Sequence, residues 1–126
     1  MSDKFTVEII SPDQTVLKQE TNEVIIPSYE GQMGIMKDHI PLITFLRPGL
    51  IEVGKDEKFY AEDGTVEFVK NNLLILSPTI QSLKNIKSDQ ISHMLNEAEK
   101  KISDDKISDK QKYILNYKIE TLKQIN

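Results

Sequence analysis

The chain of 126 residues has no cysteine and no tryptophan, two histidines, and a single arginine, Arg47. Without cysteine there is no disulfide, no thiolate metal site and no thiol nucleophile, a usage that fits a reducing compartment. Arginine is the usual residue for forked contacts to phosphate, so one arginine argues against a nucleotide site built on guanidinium groups. Long hydrophobic runs are also missing. The longest, such as Leu73-Leu74-Ile75-Leu76, falls far short of the roughly 20 apolar residues that span a bilayer. Met1 to Phe5 lacks an apolar h-region, so no secretory signal is expected. Positive charge is not concentrated either. The net charge is −4, and Lys100-Lys101 is the only adjacent basic pair, which leaves no electrostatic footprint for nucleic acid.

The patterns of catalysis are absent as well. No His-Glu-x-x-His, calcium loop or cysteine set offers metal ligands, so no metal site is expected. Gly31-Gln32-Met33-Gly34 lacks the length, the lysine and the following helix of a phosphate loop. His39 lies beside Asp38, but sequence neighbours rarely face each other, and no serine stands in a nucleophile elbow. His93 reads as a solvated helix residue, and the doublets Asp56-Glu57 and Asp104-Asp105 as solvated loops. No catalytic residue is assigned.

What is present divides in two. Charged residues make up 29% of the chain and hydrophobic ones 38%, the balance of a folded domain. All five glycines and all five prolines fall between residues 12 and 78. Within that stretch and just before it, short runs alternate apolar and polar, as in Phe5-Thr6-Val7-Glu8-Ile9 and Thr65-Val66-Glu67-Phe68-Val69. Turn residues punctuate them at Ser11-Pro12-Asp13, Gly54-Lys55-Asp56-Glu57 and Asn71-Asn72. About eight to ten strands are expected, at the usual five to six residues each, forming an antiparallel β-sandwich or flattened barrel over residues 1–84.

Residues 85–126 read as helical. Ile91, Met94, Leu95, Ala98 and Ile102 make one helical stripe; Leu115, Ile119 and Leu122 make another, flanked by Ile114, Tyr117 and Ile125. Ser88 is the expected N-cap of the first helix, and Ser108 with Gln111 forms a capping box for the second. The pair reads as an antiparallel two-helix hairpin, each helix the simplest partner for the other's stripe.

The segment from Tyr29 to Gly49 carries the functional interest. Its two close glycines suggest a tight turn presenting Gln32 and Met33, and Met33, Ile35 and Met36 would be unusual on a loop that touches nothing. Pro41 restricts the residue before it, and Pro48-Gly49 makes a second sharp turn. Gly31, Gly34, Ile35, His39, Pro41, Leu42, Thr44, Leu46, Pro48 and Gly49, in this order and spacing, resemble the most recognisable stretch of the epsilon subunits of bacterial F-type ATP synthases. Gly64 to Val69 and Leu73 to Leu76 resemble a second block of that family, and the similarity takes in the whole chain.

The resemblance implies a non-catalytic subunit of the central stalk, peripheral to the cytoplasmic face of the bacterial inner membrane and held there only through the complex. It implies that the sandwich binds the gamma subunit and the loops of the c-ring, coupling proton-driven rotation to ATP synthesis, with Glu30, Gln32, Met33 and His39 facing the ring. Gly31, Gly34, Pro41, Pro48 and Gly49 would be its structural motif. Two positions depart from the family: Met36-Lys37-Asp38 stands where Leu-Pro-Gly is common, and Asp63 where many members have glycine. Some relatives bind ATP through Asp-x-x-Arg-Ala at the start of the first helix. Here only Asp89 matches, with Ser92 and His93 in place of Arg and Ala, so no cofactor is expected. The hairpin is rich in lysine (Lys100, Lys101, Lys106, Lys110, Lys112, Lys118, Lys123), which would suit an acidic contact on the beta subunit and a brake on hydrolysis; a solvated face is the competing reading. The rival from another class is a stand-alone sandwich that binds a small ligand, with the helices as a dimerisation arm.

Overall fold

The computed structural model describes residues 3–126. Ten strands come first, β1 Phe5–Ser11, β2 Gln14–Thr21, β3 Glu23–Ser28, β4 Gly31–Met36, β5 Leu42–Leu46, β6 Gly49–Val53, β7 Glu57–Ala61, β8 Gly64–Val69, β9 Asn72–Leu76 and β10 Gln81–Ser82. A 3₁₀ turn, Leu83–Asn85, leads into helices α1 Ser88–Ile102 and α2 Asp109–Ile125. The strands lie in one curled sheet ordered β10-β7-β6-β3-β5-β8-β9-β1-β2, with β4 paired to β3 beside this path. Pairing is antiparallel except between β1 and β9, which run parallel. Those two strands lie far apart in sequence, so no hairpin dictates their relative direction when the sheet closes.

Alternation drives the burial. Phe5, Val7 and Ile9 of β1 point into the core, as do Val66 and Phe68 of β8 and Leu73 and Ile75 of β9. Phe5 and Phe68 meet edge to face with centroids 5.6 Å apart. The β8–β9 turn sits one residue earlier than its asparagine pair suggested. Lys70 and Asn71 carry the positive φ angles, 49° and 62°, as a two-residue hairpin turn of type I′ requires, and Asn72 already belongs to β9. Gly64 is forced: its φ is +150°, and a Cβ there would collide with the Leu76 carbonyl.

The helices cap unequally. Ser108 accepts from the Gln111 N–H while the Gln111 side chain takes the Ser108 N–H, so the capping box forms. The cap of α1 is Lys87 rather than Ser88, and it makes no side-chain cap bond. Lys87 is extended and its carbonyl already accepts the Ile91 N–H at 3.1 Å, which puts Ser88 inside the first turn. The helices pack on each other and also on the sandwich. A second apolar cluster joins Tyr60 with Ile91 and Leu122, with Leu50, Leu83 and Ile125 against it. The stripes therefore find the sandwich as well as each other.

Candidate protein-docking surfaces

The first surface is built on β3 and β4. The turn lies at Tyr29-Glu30, and Gly31 and Gly34 belong to a strand, not to a loop. The Ser28 hydroxyl staples this turn, donating to the Gly31 carbonyl at 2.7 Å and accepting the Glu30 N–H at 3.1 Å. Gly31 has φ +118°, which only glycine adopts readily, whereas a Cβ on Gly34 would meet only Glu23 Oε2 at 3.5 Å. Strand alternation then separates residues the sequence grouped. Gln32 is exposed, Met33 is half-buried against the core, Ile35 is fully buried, and Met36 is exposed. Ile35 is thus a core residue, and of the Gln32–Met33 pair only Gln32 is presented outward.

His39 lies past the other end of β4 from Glu30, about 20 Å away at strand rise. Its Nδ1 is 2.7 Å from the Ile40 carbonyl, and its ring stands edge-on to Phe68 at 5.9 Å. Glu30 therefore lies in the turn and Gln32 just past it on β4, while His39 belongs to a separate loop. That loop keeps glycine-type geometry without the glycine: Asp38 has φ 67°. A reciprocal clip holds it there, with the Asp38 N–H donating to Asn71 Oδ1 at 2.7 Å and Asn71 Nδ2 to Asp38 Oδ1 at 3.1 Å. Pro41 is exposed, whereas Pro48 and Gly49 are buried. A Cβ on Gly49 would come within 2.5 Å of Pro27 Cβ, so the Pro-Gly pair exists to let two strand ends pack.

The second surface escaped the sequence reading. On β5 the usual order is inverted: Thr44 is buried, while Ile43 and Phe45 are 75% and 59% exposed. Register sets Phe45 opposite Thr65 and Ile43 opposite Glu67, then Leu76 and Leu74 beyond them on β9. Leu76 and Val69 are also exposed, and Ile40, 74% exposed, extends the row onto the His39 loop. Isolated exposed apolar residues are ordinary, but here apolar residues of β5 and β9 flank Thr65 and Glu67 of β8 on one sheet face, which makes that face a candidate interaction site. The only clue in the sequence was Leu-Ile-Thr-Phe-Leu, a strand with one polar residue and nothing to say which parity faces in.

The third feature is the joint between sandwich and hairpin. Tyr60 is buried, and its hydroxyl donates to Glu62 Oε2 at 3.0 Å, the same oxygen that Lys118 of α2 approaches at 3.0 Å. Burial, then the Glu62 charge, pushes the Tyr60 phenol well above its ordinary value of 10.0. Asp89 lies exposed in the first turn of α1. Of the eight lysines in residues 85–126, the seven named above and Lys87, only Lys118 is half-buried; the others are exposed. His93 is exposed too. Among the described residues no group of three or more His, Asp or Glu side chains is placed to hold a metal ion, and no helix is long and apolar enough to cross a membrane.

Residues 4–82 match the family described as ATP synthase, Delta/Epsilon chain, beta-sandwich domain. A Pelagibacter ubique protein named ATP synthase epsilon chain is 42% identical over 130 aligned positions, covering 100% of both chains. The fold is shared with a chain in the cryo-EM structure of the Euglena gracilis mitochondrial ATP synthase, OSCP/F1/c-ring in rotational state 1 (TM-score 0.80, 21% identity, 98% of this chain and 82% of that one). It is shared also with a chain in the central stalk/c-ring structure of the Tetrahymena thermophila mitochondrial ATP synthase (TM-score 0.68, 17% identity, 94% and 93% covered).

Proposed function

This chain belongs to the ATP synthase Delta/Epsilon chain family, and on that premise we propose that it couples the rotor by binding two partners through different faces of the sandwich. It is an epsilon chain, a non-catalytic subunit of the central stalk, so its work is contact rather than chemistry. The observation that carries the reading is the inverted β5, which turns Ile43 and Phe45 outward on a sheet face continued by Leu76, Val69 and Ile40. Such a face suits a large, rigid protein partner, and we assign it to the gamma subunit. The β3–β4 turn, with Glu30 and Gln32 exposed on a stapled hairpin, is assigned to the polar loops of the c-ring. Met33 supports that turn from within, and His39 would reach the ring only from its own loop. Residues 1–84 then serve as the coupling body and residues 85–126 as an accessory hairpin. The exposed lysines of the hairpin are the surface left for the beta subunit. The chain sits at the cytoplasmic face of the bacterial membrane through these partners, and this division of labour leaves no role for a small-ligand site.

The test is association. The purified chain mixed with its cognate gamma subunit should co-elute on gel filtration, and Phe45→Glu combined with Ile43→Glu should abolish the complex while the circular dichroism spectrum stays that of the parent. No complex under any salt condition would overturn the stalk assignment. A complex indifferent to both substitutions would move gamma to another face.

A further inference from the structure

Arg47, the sole arginine, sits between the partner-facing turn and the hairpin. Its Cζ lies 3.8 Å from the centroid of the Tyr117 ring of α2, and its Nη1 donates to the Pro48 carbonyl at 3.1 Å, which fixes the guanidinium plane. On the same side, Tyr29 of the β3–β4 turn stacks on Tyr113 of α2, with centroids 6.2 Å apart and planes 14° apart, and Tyr113 meets Tyr117 edge to face at 4.9 Å. The backbone closes the circuit: the Arg47 N–H donates to the Pro27 carbonyl at 3.0 Å, and the Tyr29 N–H to the Phe45 carbonyl at 3.2 Å. Tyr29, Tyr113, Tyr117 and Arg47 thus form one ladder that starts in the turn and ends in the sandwich.

We propose that this ladder is a latch tying the docked position of α2 to the conformation of the Tyr29-Glu30 turn. A guanidinium over a partly buried tyrosine is attractive but only modestly so, which leaves the contact within reach of a competing partner. Because Tyr29 belongs to the turn, releasing α2 removes the support of the turn. Reciprocity then requires that whatever engages the turn shifts the equilibrium of α2. The functional consequence rests on the reading of the turn as a partner contact; the latch itself does not.

Hydrogen exchange on the full chain, with no partner present, tests it. Arg47→Gln should speed exchange about tenfold, the loss of one cation–π contact, both in residues 109–125 and in the turn at residues 28–32. Strands β1 and β9 should keep their protection. Arg47→Lys, which keeps the charge and loses the plane, should fall between. Faster exchange in α2 with an unchanged turn, or no change in either, would overturn the latch. Should Arg47→Gln loosen the whole sandwich, Tyr113→Leu decides, since it touches the ladder on the half-exposed side: the turn must loosen with β1 and β9 protected, and an unchanged turn refutes the proposal. Gamma association is measured separately, so a failed latch and a failed stalk assignment give different results.

Discussion

The sandwich and the hairpin hold themselves together by different means. In the sandwich, side chains from nine of the ten strands converge, and residues such as Val7, Ile26, Ile35 and Ile75 lose all exposure. In the hairpin only Ile91, Ala98, Thr121 and Leu122 are buried, and Ile91 and Leu122 belong to the cluster shared with Tyr60. The sandwich makes its own core, while the hairpin borrows one. Two helices of this length are marginal in water without packing, so the joint decides whether the hairpin has a defined position. The face proposed for gamma, with Ile43 and Phe45, lies on the part that makes its own core.

The largest effect should come from the sandwich core. Phe68 is 1% exposed and packs against Phe5. Phe68→Ala should cost about 3–5 kcal/mol in urea unfolding, and strand and helix signals should vanish in one transition because the hairpin has nothing left to rest on. Leu122→Ala, in the shared cluster, should cost about 2–3 kcal/mol and show as early loss of helix docking, with the sandwich transition kept. If both variants lowered the sandwich transition alike, the contrast between the two regions would be broken.

That contrast was only half legible in the sequence. Phe5 to Ile9 and Thr65 to Val69 announce their strands because period 2 with β-branched and aromatic residues has one simple solution. Ile91 to Ile102 announces its helix in the same way, and Ser108-x-x-Gln111 its start. β4 hid behind two glycines, which suggest turns, and its hairpin ladder to β3 across Tyr29-Glu30 makes it a strand. The face of β5 hid for another reason. Leu-Ile-Thr-Phe-Leu is apolar in both parities but for Thr44, which argues for the wrong one, and the register against β8, set by the whole sheet, chooses which goes outside. Arg47 is the sharpest case. Its solitude argued against a phosphate site, yet nothing local said that a tyrosine seventy residues on would lie under it.

The joint itself offers the middle-sized test. Tyr60 is neutral when folded, its phenol raised above 10.0 by burial and by Glu62, while in the unfolded chain it titrates near that value. A raised folded value means its contribution is complete below pH about 10 and falls as pH rises further, because the unfolded state loses its proton first. The slope should be about 1.4 kcal/mol per pH unit, visible as a falling melting temperature between pH about 10 and 11. Tyr60→Phe should flatten that slope, and below pH about 9 should cost only the hydrogen bond to Glu62, about 1 kcal/mol. An unchanged slope in Tyr60→Phe would mean the joint is more open to water than its burial shows.

The smallest effects lie at the helix starts, where the hairpin differs from itself. The Ser108 hydroxyl accepts the Gln111 N–H and donates to Gln111 Oε1, whereas Lys87 caps α1 with no side-chain bond and a positive charge at the positive end of the helix dipole. Ser108→Ala should therefore lower the free energy of hairpin docking by about 1 kcal/mol, read as faster amide exchange through residues 109–112. Lys87→Ser should raise it by about 0.5–1 kcal/mol by supplying the missing acceptor. The two changes should add, since they sit on different helices and share no partner. If Lys87→Ser stabilised nothing, the start of α1 would be held by the 3₁₀ turn and the Tyr60 cluster rather than by its own cap. The hairpin would then be anchored to the sandwich at its first residue, and the latch at Arg47 would control α2 alone.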